Sequence, residues 1–239
     1  TSSDLKGKKT TESKKIAGKT YYFNEDGEMQ DGWYEDDGDV YYLGGEDEGW
    51  RKESGWLWLE KPDDDDDITG CDDECSICDE EGWYYFGSNG KMYKDYKKKK
   101  VNGKYYYFNE HGQMLYEWIN DAKVKVKGSP SNAEADGNVA TPNKAEIENM
   151  LYMNQVEEGW RADGWYEIDG AEDVGTDNDT DWYYFDDGEA KRADSDKDFA
   201  QIKDNDETPI WRAKIKIKAS NNKYFCFDEV GRKIGRAHV

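Results

Sequence analysis

One short pattern returns along this chain and restricts what it can fold into. "GKTYYFNEDGEMQDGW" (18–33) and "GKYYYFNEHGQMLYEW" (103–118) agree at most positions. "GWYYFGSNGKM" (82–92), "DWYYFDDGEAK" (181–191) and "NKYFCFDEVGRK" (222–233) are looser copies, and "DVYYLGGEDEGW" (39–50) is a degraded one. The shared unit is a short aromatic strand, a polar turn closing on glycine, and a second short strand. Asn or Asp followed three residues later by Gly suits a hairpin loop with a left-handed glycine. Gly27, Gly90, Gly112, Gly188 and Gly231 hold that place. A single hairpin of this size is marginal in water, so the copies must pack on one another.

A larger duplication lies over the small one. "EGWRKESGWLWLE" (48–60) corresponds to "EGWRADGWYEID" (158–169), and each is followed by an acidic stretch and a Trp-Tyr-Tyr-Phe strand. Trp50 and Trp160 are 110 residues apart, whereas Trp83 and Trp182 are 99 apart, so loops absorb the drift. This organisation predicts an all-β chain, a solenoid of stacked short β-hairpins in two half-arrays, with a short helix or linker between them. The expected divisions are a polar start (1–15), a first array (16–118) with an acidic loop (61–81), a divergent connector (119–157) and a second array (158–239). In the connector, "TPNKAEIENMLYM" offers Thr141 as N-cap, Pro142 at the first helical position, and Ile147, Met150 and Leu151 at helical spacing. That predicts a helix near 142–152. "KVKVKG" alternates like a strand, and 128–138 reads equally as a flexible linker.

Composition decides what fills such units. Leucine occurs six times, against ten Trp, 18 Tyr and seven Phe. An ordinary aliphatic core cannot be built from that supply, so rings with a polar edge serve as both packing and working surface. Alternation sends the first and third positions of each aromatic run to one face and the second and fourth to the other. Tyr105 and Tyr107 are thereby separated from Tyr106 and Phe108, and Trp83 and Tyr85, or Trp182 and Tyr184, share a face in the same way. Accessible rings attract a quaternary ammonium, at roughly 0.5–2 kcal/mol per ring. They equally accept the apolar face of a sugar whose hydroxyls donate to neighbouring carboxylates.

Formal net charge is −22, which disfavours nucleic acid and anionic membrane and tolerates cationic ligands. No apolar run approaches the length of a spanning helix, so membrane insertion is not expected.

Gly-Trp, a short spacer, Trp/Tyr-Tyr-Tyr-Phe/Leu, a turn and Gly-x-Met together resemble the cell-wall-binding repeats of Gram-positive surface proteins. Choline-binding modules belong to that group, with glucan-binding and clostridial-toxin repeats as relatives. The resemblance covers most of 16–118 and 159–235. It implies a secreted or wall-associated protein that holds choline-bearing teichoic acid, or a glycan, between successive hairpins. Carried over by position, the junction residues are Trp33, Trp50, Trp118 and Trp160, with Trp211 a weaker match because Ile210 replaces Gly. The first strand positions are Trp83, Tyr105, Trp182 and Tyr224, with Trp56 and Trp165 in the variant copies. Thr20 and Val40 stand where a first-position aromatic belongs. The second reading is a structural or adhesive surface protein whose repeats are a spacer and whose acidic loops contact a host or surface protein.

Other chemistry has less to stand on. "CDDECSIC" places Cys71, Cys75 and Cys78 in a loop where residues 63–81 carry eleven acids and no basic residue. Zinc lacks a fourth ligand nearby, so no metal is assigned, and a local disulfide of Cys71 with Cys78 or Cys75 is expected in an exported protein. Cys226 reads as a lone buried thiol. "DDDDD", "DNDTD" and "DSDKD" lack the glycine and glutamate of a calcium loop, which leaves weak calcium binding at most and no cofactor. His111 and His238 read as exposed. No catalytic motif occurs, so the chain is expected to be a non-enzyme, or the anchor of a wall hydrolase.

Overall fold

Each aromatic run becomes one strand of a short antiparallel hairpin. The computed structural model describes residues 12–120, 147, 150–169, 180–193, 199–203 and 209–236. They fall into two units, one formed by residues 1–96 with 108–114, the other by 97–107 with 115–239. The first unit holds three hairpins: β1 (Glu12–Ile16) with β2 (Lys19–Phe23), β3 (Trp33–Asp36) with β4 (Asp39–Tyr42), and β5 (Gly55–Glu60) with β6 (Glu81–Phe86).

The second unit begins with β7 (Lys99–Val101) on β8 (Lys104–Tyr106) and β9 (Trp118–Asn120) on β10 (Met150–Tyr152). A three-stranded sheet follows, of β11 (Gly164–Asp169), β12 (Thr180–Asp186) and β13 (Glu189–Ala190). The last sheet joins β14 (Phe199–Lys203), β15 (Pro209–Ile217), β16 (Lys223–Asp228) and β17 (Lys233–Arg236) in chain order. Among the described residues, helix is limited to short 3-10 turns such as Asp64–Asp66 and Lys218–Ser220. The chain is therefore all-β, built of short antiparallel hairpins.

The turns explain why the pattern repeats. Asn24 Oδ1 accepts from the backbone N–H groups of Asp26 and Glu28, at 3.0 and 2.9 Å. Asn109 Oδ1 does the same for His111 and Gln113, both at 3.0 Å, and Asp228 Oδ1 for Val230 and Arg232, at 3.1 and 2.8 Å. One side-chain oxygen thus closes the loop over donors that strand pairing has left unused. Gly112 then needs its left-handed backbone (φ +88°), and a Cβ there would come within 2.5 Å of the Met92 side chain.

Apart from the last sheet, successive hairpins among the described residues are not merged into one sheet; backbone bonds tie one to another. In the first unit Arg51 N–H donates to Thr20, Met92 N–H to Val40 and Met114 N–H to Trp83, at 2.8, 2.8 and 2.9 Å. In the second, Arg161 N–H donates to Tyr105 and Tyr152 N–H to Gly188, both at 2.8 Å.

The rings between these ties form one core built twice. Trp33 packs against Tyr42 and Tyr84 with centroids 5.2 and 4.9 Å apart, edge to face, and lies 6.3 Å from Phe86. Trp118 packs in the same manner on Tyr152, Tyr183 and Phe185, at 5.1, 5.8 and 5.6 Å. Such contacts add about 0.5–1.5 kcal/mol each beyond the area they bury.

This correspondence corrects the reading of the connector. Met150–Tyr152, the end of the expected helix, is strand β10, and residues 142–146, 148 and 149 lie outside the described residues, as do 128–138 and "KVKVKG". "LYMNQVEEGWR" (151–161) takes the place of "YYLGGEDEGWR" (41–51), with Met153 buried like Leu43. Pairing with β9 and burial of Met150 and Tyr152 under Trp118 outweigh the local helical spacing.

Asn109 is 1% exposed. Replacing it with Ala leaves the buried Gln113 N–H and the half-buried His111 N–H without their acceptor and should cost about 2–3 kcal/mol in urea unfolding, whereas Asn24→Ala, at an exposed turn, should cost about 1 kcal/mol or less.

Candidate functional site

Alternation sorts the aromatic runs as expected in β6 and β12. Tyr84, Phe86, Tyr183 and Phe185 are fully buried, while Trp83, Tyr85 and Tyr184 are half-buried and Trp182 is exposed. The third run behaves differently. Strand β8 ends at Tyr106, so the alternation stops there, and Tyr107 turns inward against Leu115, Ile119, Leu151 and Met153. Tyr105 stays half-buried and Tyr224 is exposed. Trp33 and Trp118, expected at open junctions, are the centres of the two cores and present no free face. The side chain of Trp211 lies outside the described residues.

Half-buried rings gather into two matching clusters, each packed on a fully buried phenylalanine, Phe108 or Phe227. In the first unit Trp56 pairs across the hairpin with Tyr85 (centroids 5.1 Å, 69°) and stacks on Phe108 (5.6 Å, 20°). Tyr93 closes the group, 4.7 Å from Tyr85 and 5.9 Å from Phe108. In the second unit Trp165 pairs with Tyr184 (5.1 Å, 73°) and stacks on Phe227 (5.9 Å, 20°), and Phe225 stands edge-on at 4.8 Å. Ser220 Oγ accepts from Trp165 Nε1 at 2.8 Å and fixes the indole.

Sequence reasoning named Trp56, Tyr85, Trp165 and Tyr184 but missed Phe108, Phe227, Phe225 and Tyr93. The phenylalanine ending each aromatic run was the available signal, since it lies at the strand end where it can reach a neighbouring hairpin. Burial raises the pKa of Tyr184, and the carboxylates of Asp163 and Asp186 push it further in the same direction, so this cluster has an acidic rim.

The remaining junction tryptophans are covered by the chain's own cations. Lys19 Nζ lies 3.5 Å and Lys52 Nζ 3.9 Å from the Trp50 ring centroid, and Lys104 Nζ lies 3.1 Å from that of Trp160. Lys19 and Lys104 hold the same place in the two best-matched copies. Beside Trp160, the Arg161 guanidinium sits 4.6 Å from the Tyr105 ring and bonds Asp187 at 2.8 Å. Separately, Trp58 and Trp83 form an open edge-to-face pair at 5.4 Å, with Trp58 42% exposed.

The acidic loop is anchored at its base. Cys71 is buried, Cys75 and Cys78 are half-buried, and all four cysteines of the chain are free, so no expected disulfide is formed. Instead the three loop thiols converge, and the Cys71 sulfur accepts hydrogen bonds from Cys78 and Cys75, which lowers its pKa while that of Cys78 rises. His111, expected to be exposed, is tucked beside Gly70 with 14% of its side chain accessible.

The geometry defines a repeat protein of aromatic β-hairpins with two matching clusters of rings. Residues 10–54 match the choline-binding repeat, and residues 77–92 and 99–114 match the cell wall binding repeat. These three segments therefore carry repeats of the cell-wall-binding type. Among solved structures it is similar to choline binding protein F of Streptococcus pneumoniae, with 18% identity over 95% of this chain and 74% of that one and a TM-score of 0.44. A choline binding domain from the same organism shares 24% identity over 44% of this chain and 95% of its own, with a TM-score of 0.30. The multimodular pneumococcal cell wall endolysin of phage Cp-1 shares 17% over 79% and 39%, with a TM-score of 0.37. No curated protein matches the sequence.

Burial raises the pKa of Tyr84 and of Tyr183 well above the ordinary tyrosine value. A folded-state pKa above the unfolded one stabilises the fold fully below about pH 10 and loses that contribution as pH rises beyond it. Absorbance titration should therefore show these two hydroxyls ionising together with cooperative alkaline unfolding. Ionisation in the still-folded protein, judged by circular dichroism, would contradict their burial.

Proposed function

We propose that the chain is a non-catalytic wall-attachment module that holds choline-bearing wall polymer in the two aromatic clefts around Trp56 and Trp165. The observation that carries this reading is the duplicated constellation Trp56–Tyr85–Phe108 and Trp165–Tyr184–Phe227, with near-identical ring distances and angles in a chain of choline-binding repeats. A trimethylammonium group carries its charge on methyl surfaces and makes no N–H bonds, so it suits a cleft of ring faces better than water does. The carboxylates of Asp163 and Asp186 near Tyr184 add long-range attraction for a cation. Charge on the whole chain works in the same direction.

The clefts divide the work with the other aromatics. Trp50 and Trp160 are screened by lysine and take no part in ammonium binding in this reading. The open Trp58–Trp83 pair offers a flat apolar face to the sugar portion of the polymer. A module of this kind serves a secreted or wall-associated protein, including one whose catalytic domain is a wall hydrolase.

Choline should quench tryptophan emission in a saturable manner. Removing one ring of a cleft, as in Trp165→Ala or Trp56→Ala, should weaken that cleft roughly 2- to 30-fold, the equivalent of about 0.5–2 kcal/mol. Lys104→Ala should uncover Trp160 and add a new quenching phase rather than remove one. The reading fails if choline quenches the double variant Trp56→Ala/Trp165→Ala as it does the parent, or if neither choline nor purified wall perturbs the parent.

A further inference from the structure

The acidic loop between β5 and β6 plays no part in the two ring clusters around Trp56 and Trp165, yet hydrogen bonds from elsewhere in the unit hold it in place. Its three sulfur atoms, from Cys71, Cys75 and Cys78, all lie within 4.8 Å of one another. Two consecutive tight turns aim them inward, with Cys71 N–H donating to Ile68 and Cys75 N–H to Asp72, at 3.3 and 3.1 Å. Cys71 is packed into the core of the first unit beside Ile68 and Tyr84, and Cys75 and Cys78 close over it.

Groups outside the triad hold this arrangement. Asn109 Nδ2 approaches Cys78 Sγ at 3.6 Å and the Ile77 carbonyl at 3.4 Å. Gln113 grips both polar atoms of the Asp79 backbone, at 2.9 and 2.8 Å. Lys61, whose side chain is 5% exposed, donates to the carbonyls of Asp72 and Asp73 at 3.4 and 3.1 Å and lies 3.6 Å from Glu80. A buried ammonium thus holds the backbone turn between Cys71 and Cys75 in place.

From this geometry we infer that Cys71, Cys75 and Cys78 form a three-thiolate site for one thiophilic d10 metal ion of the zinc class, which fastens the acidic loop onto the first unit. The argument from sequence against zinc was the lack of a fourth protein ligand. Three converging sulfurs with one position left for water or an added thiol still form a competent set. Sulfurs bound to a single zinc at about 2.3 Å stand about 3.8 Å apart, so the triad needs to contract by only about 1 Å. A disulfide uses two of the three and leaves the third thiol against it, poised to exchange. One ion satisfies all three. The Asn109 amide on Cys78 is the kind of outer contact that orients a ligating sulfur. The carboxylates along 63–81 raise the local cation concentration without ligating. Binding releases the thiol protons to solvent as the metal–sulfur bonds form, with no change of oxidation state.

The test uses the full chain, reduced and freed of metal, titrated with zinc against a chromophoric chelator. One zinc should bind per chain, native alkylation of Cys75 and Cys78 should be lost on adding it, and cobalt should give sulfur-to-metal charge-transfer absorption. Cys75→Ser should lose all three signals and Cys226→Ser should keep them, with tryptophan emission confirming that both variants fold. Choline quenching should persist in Cys75→Ser, which separates this site from the wall-binding reading. Unchanged alkylation with zinc, binding that survives Cys75→Ser, or air oxidation to a Cys71–Cys78 or Cys71–Cys75 disulfide that equimolar zinc does not prevent would each overturn the inference.

Discussion

Edge-to-face contact between one tryptophan and rings from a different hairpin is the interaction on which the rest depends. Strands of three to seven residues, as in β6, β8 and β12, bury too little apolar area to stand alone. Trp33 of β3 meets Tyr84 and Phe86 of β6, and Trp118 of β9 meets Tyr183 and Phe185 of β12. Once the second and fourth rings of a strand are committed to that core, the pleat leaves the first and third rings no choice but the other face. The two ring clusters around Trp56 and Trp165 are thus a by-product of core packing. A one-residue slip would exchange the two sets and abolish both.

The repeat, its turn chemistry and the all-β class were legible because each is encoded within a few neighbouring residues: an Asn or Asp that accepts two N–H groups, a left-handed glycine, an alternating run of rings. What escaped depends on partners distant in the chain. Met150 and Tyr152 look helical by spacing and become strand because β9 and Trp118 are waiting for them. The matching Glu-Gly-Trp-Arg at 158–161 and 48–51 was visible, and extending that alignment backwards would have exposed the degenerate copy at 151–157. Likewise Trp33 and Trp50 read alike as junction tryptophans. Only the presence of Tyr84 over one and Lys19 over the other separates core from surface. The convergence of three sulfurs was beyond a sequence argument, since it rests on Lys61, Asn109 and Gln113 gripping the loop from elsewhere in the unit.

Two kinds of cation and two kinds of tryptophan site fit one another for a reason rooted in hydration. A lysine ammonium is compact and strongly hydrated, and it loses much if stripped of water. It therefore suits Trp50 and Trp160, where one ring face is offered at a wet edge. There Lys19 and Lys104, tethered one strand away, act at an effective concentration that a free ligand has to exceed. A quaternary ammonium has no N–H to satisfy and gains from enclosure, so in the proposed wall-binding role its better match is the drier cluster of an indole, a phenol and a phenylalanine. The chain's own lysines sit closer at the first kind of site than at the second, where Lys233 Nζ lies 6.0 Å from the Trp165 and Phe225 ring centroids. In the proposed wall-binding role, a repeat protein carrying both keeps part of its aromatic surface covered by its own lysines and reserves the rest for a ligand whose charge is wrapped in methyl groups.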